Sequence, residues 1–234
     1  MTKPLGITFD NEMHTYDDFG LRITSIHIGF PPVKSSRIEI PGADGYLDMT
    51  DYFGTRYENR VLTIKCDIED KNYYNWAGTM SRLSNYLHGK KRKIILDWDD
   101  GYYYVGRGNC EYEKDNRIYS EITLKFDCEP YKYELTATDE DWLWNPFSLE
   151  NGIIREYRSL NVQGEVTVLV AGSQMPVVPV IIVSDDMRVL FNGESYELKA
   201  GENYIPDIEI TEGECSLTFV GTGTVTIRYR GGSL

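Results

Sequence analysis

Short runs in which apolar and polar residues alternate recur along almost the whole chain. A period of two confines such a chain to half-buried strands. Leu21–Ile28, Ser36–Ile40 and Val61–Ile68 show it first. Ile94–Trp98 and Tyr102–Arg107 repeat it around the turn Asp99-Asp100-Gly101 and read as a hairpin. Strands at Gly108–Lys114 and Ile118–Cys128 are expected to follow, joined by a turn at Asp115-Asn116-Arg117. One segment breaks the rule: Tyr73, Trp76, Met80, Leu83 and Leu87 recur at spacings of three and four, which predicts a helix between Asp70 as N-cap and Gly89 just past its end. The fold class that follows is all-β with one helix, an N-terminal β-sandwich carrying that helix.

At 234 residues the chain is long enough for two modest cores, and we divide it there. The first domain is 1–135. A linker is expected over 136–163, where Thr138-Asp139-Glu140-Asp141, Trp142, Trp144 and Asn145-Pro146 interrupt the periodicity. Over 164–234 short strands recur at nearly even intervals: Glu165–Val170, Val177–Val183, Arg188–Phe191, Ser195–Leu198, Asp207–Thr211, Cys215–Val220 and Val225–Arg230. That spacing predicts a second sandwich, whose strands the linker can extend.

Charge and cysteine usage narrow the function. Residues 1–135 carry 18 basic and 22 acidic side chains and residues 136–234 carry 6 and 15, so the net −13 divides into −4 and −9. An acidic chain has no electrostatic footprint for holding nucleic acid. Its basic run Lys90–Lys93 lies just beyond the negative end of the helix dipole, which explains it structurally. Cys66, Cys110, Cys128 and Cys215 lack any short paired spacing and read as buried, reduced thiols, with a Cys110–Cys128 bridge open only if their strands are neighbours. No apolar run approaches the roughly 20 residues of a membrane span, and Met1–Gly6 lacks a signal peptide's apolar stretch, so a soluble protein made in a cytoplasm is expected, with no membrane partner.

The block Ile40-Pro41-Gly42-Ala43-Asp44-Gly45-Tyr46-Leu47-Asp48-Met49-Thr50-Asp51-Tyr52-Phe53-Gly54 is a shaped connection between strands. Pro41 fixes one backbone angle, Gly42 and Gly45 supply angles closed to other residues, and Asp44 can bond its own backbone. With Asp18-Phe19-Gly20-Leu21 before it, the strand from Arg60 to Ile68 and a single helix after it, and Phe126-Asp127-Cys128-Glu129-Pro130-Tyr131-Lys132-Tyr133 closing the region, Phe9 to Tyr133 resembles the N-terminal domain of siphophage distal tail (Dit) proteins. The C-terminal part is similar to that family only in size, strand richness and its Val225–Arg230 ending. The resemblance implies a ring-forming, tail-tube-like first domain and a galectin-like or carbohydrate-module-like second domain. It also implies a homohexameric hub ring in the virion tail tip, partnered by the tail tube protein, a tail-tip protein and a receptor-binding protein or host saccharide.

A catalytic reading finds little support. His14, His27 and His88 are isolated, and Asp97–Gly101 has Gly108 where an EF-hand needs its twelfth-position carboxylate. Gly221-Thr222-Gly223-Thr224 reads as a turn between two strands. We therefore expect no enzyme activity, cofactor or metal. The 18 tyrosines, with Tyr46, Tyr52, Tyr57 and Tyr102–Tyr104 at loop and hairpin tips, favour protein contact. Pro41, Gly42, Asp44, Gly45, Tyr46, Tyr52, Phe53 and Tyr57 are the candidate protomer interface. Trp142, Trp144 and Tyr157 are either a saccharide-stacking platform or aromatics packing linker on domain. The alternative to a hub ring is a non-catalytic glycan-binding module of the host-adhesion device, and a cell-wall hydrolase of the tail tip ranks third.

Overall fold

The computed structural model describes residues 4–68, 72–113, 120–140 and 156–234. The chain forms two compact units, residues 1–98 with 103–132, and residues 99–102 with 133–234. Both are built from strands, and among the described residues one long helix interrupts them.

The first unit is an antiparallel sheet of β1 (Ile7–Phe9), β2 (Met13–His14), β3 (Leu21–Ile28), β6 (Arg60–Ile68), β7 (Lys91–Leu96), β8 (Tyr102–Glu113) and β9 (Glu121–Cys128). Between β3 and β6 the chain leaves the sheet to form β4 (Arg37–Ile38) and β5 (Leu47–Asp48). The sheet order is β2-β1-β7-β8-β9-β6-β3. Period-two patterning sets its faces: in β6, Leu62, Ile64, Cys66 and Ile68 are buried while Val61 and Lys65 are exposed. The helix α2 (Tyr73–Leu87) covers the apolar face with Met80, Leu83 and Leu87, each at most 1% exposed, against the cluster that holds Phe9, Leu62 and Phe126. Burying each such side chain contributes about 1.5–3 kcal/mol. The cap is Asn72, whose side chain accepts from Tyr74 N–H at 3.0 Å, whereas the expected cap Asp70 lies outside the described residues. At the other end Gly89, at φ 71°, takes the left-handed conformation that ends a helix.

Two glycines read from sequence as a strand boundary lie inside one strand. The hairpin arm at Tyr102–Arg107 and the run beginning at Gly108 are a single strand, β8, because Gly106 and Gly108 face the core where there is no room for a side chain. A Cβ on Gly106 would stand 2.5 Å from Cys128 Sγ, and one on Gly108 2.9 Å from the Leu87 carbonyl oxygen. The same register decides the thiols. Cys110 and Cys128 do sit on neighbouring strands, but Cys110 pairs with Leu124 and Cys128 with Gly106. Four residues of strand, about 13 Å, separate them, too far for a bridge. Burial pushes the Cys66 and Cys128 thiols up to about 12 and Cys110 to about 11, which keeps them protonated and inert.

In the second unit, β10 (Lys132–Glu134) pairs with β17 (Gly232–Ser233). The main sheet comprises β11 (Leu160–Gly172), β12 (Val180–Val183), β13 (Met187–Phe191), β14 (Glu194–Leu198), β15 (Gly201–Tyr204) and β16 (Gly213–Arg228), in the order β14-β13-β16-β12-β15 with β11 also on β16. The expected turn at Gly221–Thr224 is instead the middle of β16, where that strand passes from pairing with β13 at Thr218–Val220 to pairing with β12 at Val225–Arg228. At φ 155° and 146°, Gly221 and Gly223 let the backbone pass within reach of Met187 and Ser184; a Cβ would stand 2.6 Å from Met187 Cβ and 2.5 Å from Ser184 Oγ. The strand expected over Asp207–Thr211 reduces to the single bridge Val177↔Ile210, with Ile208 and Ile210 buried. The unexpected β15 has no apolar alternation. Asn203 holds it, its amide donating to the carbonyls of Ile181, Lys199 and Gly201 while its oxygen accepts from Lys199 N–H.

Candidate assembly surface

The segment between β3 and β6 leaves the sheet as a hairpin. At its foot Val33 bridges Tyr57, Lys34 N–H donates to the Arg56 carbonyl at 2.8 Å and Glu58 N–H to the Pro32 carbonyl at 2.8 Å. Further out β4 pairs with β5, Arg37 opposite Asp48 and Ile38 opposite Leu47. The tip bends where Gly42 and Gly45 take φ 84° and 78°, the positive angles their sequence positions predict. A single helical turn α1 (Thr50–Phe53) leads back, held by Asp48, whose carboxylate accepts from the Thr50 N–H at 2.9 Å and from its hydroxyl at 2.5 Å. Those two bonds pull the Asp48 carboxyl below its usual range.

This hairpin has no core. Every residue from Pro41 to Asp48 is exposed, and the apolar residues are exposed too: Phe30 at 84%, Tyr52 at 80%, Val33, Ile38, Ile40, Tyr46 and Leu47 at about half. Arg37 caps one ring, its guanidinium 4.2 Å from the centre of Tyr46. A two-stranded hairpin that buries neither face is marginal in water, which makes its exposed apolar surface the candidate contact surface. Pro41, Gly42, Asp44, Gly45, Tyr46 and Tyr52 therefore share one exposed projection. Tyr57 sits at its foot, half-buried edge-on against Tyr131 at 5.9 Å, and the Phe53 side chain lies outside the described residues. Sequence reading missed Phe30, Val33, Ile38 and Leu47, because apolar residues in a strand pattern read as core until neither face proves covered.

Other candidates resolve differently. Tyr104 is buried in the core rather than placed at a tip, and Tyr102 and Tyr103 are half-buried. The basic run is engaged one residue at a time: Lys90 donates to the Asn85 carbonyl, Lys91 pairs with Glu129, Arg92 pairs with Asp10 at 2.7 Å and donates to the Tyr86 carbonyl, and Lys93 stands over Tyr103. His14 Nδ1 accepts from Tyr16 and Asp17 N–H, so its proton sits on Nε2, which donates to Asp97 at 3.2 Å. Asp97 also accepts from Gly6 N–H, and His88 Nδ1 accepts from Cys110 N–H. Among the described residues no group of His, Cys, Asp and Glu is arranged to hold a metal ion.

Of the aromatic trio near the linker, Trp142 and Trp144 lie outside the described residues. Tyr157 stacks on Tyr229 at 6.2 Å, and its hydroxyl accepts from Ala171 N–H at 2.9 Å. Thr138, in the segment expected to link the domains, is buried, donating to the Ile227 carbonyl and accepting from Tyr229 N–H.

Residues 13–128 match the model of a family described as the phage tail protein RIFT-related domain. The chain is similar in structure to the Dit protein of phage SPP1, a paradigm of the hub adsorption apparatus in phages that infect Gram-positive bacteria. That similarity has a TM-score of 0.61 over 99% of this chain and 100% of that one, at 16% identity. A chain of the phage p2 baseplate in its activated, strontium-bound conformation gives a TM-score of 0.42 over 97% and 98% of the two chains, at 11% identity. A comparison with curated protein sequences gave no match.

Proposed function

We propose, from the premise that this chain belongs to the siphophage distal tail proteins through its phage tail protein RIFT-related domain, that the hairpin over 29–59 closes copies of it into a hub ring. The protein is a structural component of a phage tail. The ring is a homohexamer, one face docking on the tail tube and the other receiving a tail-tip protein, while the second domain braces receptor-binding parts or touches host saccharide. Its work is mechanical: it joins parts and lets DNA pass.

One observation carries this reading, the projecting hairpin whose apolar side chains are exposed on both faces. A second copy is a natural cover, since a head-to-tail contact uses the hairpin of one protomer and a different surface of the next, and such contacts close into rings. Charge supports passage without capture. Six chains would carry about 78 net negative charges, and the cations of the Lys90–Lys93 run are already engaged, so a duplex is repelled rather than held.

Size-exclusion chromatography with light scattering tests the ring. The expected mass is six chains of 26.9 kDa, about 161 kDa, or twice that for paired rings. The same sample should leave double-stranded DNA unretarded near physiological salt. A strict monomer at concentrations well above micromolar counts against the ring, and salt-sensitive duplex binding counts against passage without capture.

A further inference from the structure

Arg60 occupies a position meant for an apolar residue. It is the first residue of β6, on the face of Leu62 and Ile64, and only 2% exposed. It pairs with Cys128, which pairs in turn with Gly106, and the guanidinium lies 5.5 Å from the centre of the Tyr104 ring. Tyr104 engages it through a side-chain hydrogen bond as well as its ring, and Cys128 stands beside it, but Nε and Nη2 are buried without a hydrogen-bond partner among the described residues. The carboxylates beside Cys128 do not serve it, because Asp127 is on the exposed side of β9 and Glu129 pairs with Lys91. A buried arginine with two orphaned donors is costly, and such a group in a native fold calls for a specific explanation.

The hairpin that begins at this foot ends in a carboxylate of the opposite kind. Asp44, between the two left-handed glycines, was expected to bond its own backbone. The bond that shapes the tip is instead Ala43 N–H to the Ile40 carbonyl, and the exposed Asp44 carboxylate has no partner among the described residues. Arg37, the cation of β4 opposite Asp48, is taken up by Tyr46.

We propose that Asp44 at the hairpin tip of one protomer pairs with Arg60 at the hairpin foot of the next. This rests on the ring reading and adds the contact that sets its register. Copies carrying −13 each repel one another, so an interface between them needs a cation facing a carboxylate. Each protomer offers one tip and one foot, as a head-to-tail contact requires. Arg60 follows the exposed residues Glu58 and Asn59, so rotation of its long side chain exchanges the Tyr104 ring for the incoming carboxylate, which its fork binds in two parallel hydrogen bonds.

The experiment compares the full-length chain with D44N, R60M and the double variant, measuring the concentration at half-assembly and the unfolding temperature. Each single change should raise the half-assembly concentration at least about tenfold. The double variant should be no worse than the weaker single, because the two residues act on one contact. R60M should unfold about 3 °C or more above wild type, since methionine removes a buried, unpaired charge, and D44N should unfold with wild type. Assembly of D44N at the wild-type concentration, multiplied losses in the double variant, or a lowered unfolding temperature for R60M would each overturn the pairing. Because Asp44 is exposed, D44N tests the contact without touching the core. If wild type assembles and D44N does too, the pair is wrong and the ring stands; a wild type that never assembles removes both.

Discussion

Valine in place of Gly45 is expected to abolish the oligomer while leaving the unfolding temperature within about 2 °C of wild type. Nothing lies within 4 Å of a Cβ built at this position, so the side chain itself is tolerated. The obstacle is the backbone: Gly45 sits at φ 78°, where a β-branched residue costs about 1–3 kcal/mol. The tip relieves that strain by changing shape. In a core loop the change would propagate, but here it is confined to a hairpin whose neighbours Asp44 and Tyr46 bury little. Folding is therefore expected to survive and the surface proposed to meet the next protomer is not. Light scattering and thermal unfolding on one preparation check it, and equal loss of both would make the tip an ordinary part of the fold.

What the sequence disclosed was what depends on local period. β3, β6, the β7–β8 hairpin and α2 follow from alternation or helical spacing, since each has one face against a core that its own residues announce. The Pro41–Gly45 bend was legible because only glycine accepts the angles it needs. What failed depends on residues far apart in sequence. Gly106, Gly108, Gly221 and Gly223 look like turn residues in isolation, but the first two make room for Cys128 and for Leu87 and Phe126, and the latter two for Met187 and Ser184. β15 is held by one asparagine bonding to Ile181 across the sheet, which no periodicity records. The candidate assembly surface was half legible: its glycines and tyrosines stood out, whereas Phe30, Val33 and Leu47 looked like core. Arg60 is the opposite case, a charged side chain that lies in phase with Leu62 and Ile64 and is buried with them.

Alanine at Gly172 should produce the reverse of the Gly45 result, with stability lost first. Gly172 ends β11 opposite Gly213, and a Cβ there would lie 1.8 Å from the Thr211 carbonyl oxygen, 2.7 Å from its carbon and 3.1 Å from Ile210 Cγ2. The first two are backbone atoms, and no rotamer change moves them. Thr211 follows directly on Ile210, which is buried and tied to Val177 by hydrogen bonds of 2.8 and 2.9 Å in the bridge that replaces the expected strand. Making room for one methyl group therefore means pulling that bridge away from β11 or parting β11 from β16. Either costs about 3 kcal/mol or more, a fall of roughly 10 °C for the transition of the second unit. Scanning calorimetry of Gly172→Ala measures it. A shift under about 1 °C would mean that the two backbones do not approach as closely as the structure has them, whereas a large shift with the oligomer still formed below the transition separates the core of the second unit from the surface proposed to assemble the ring.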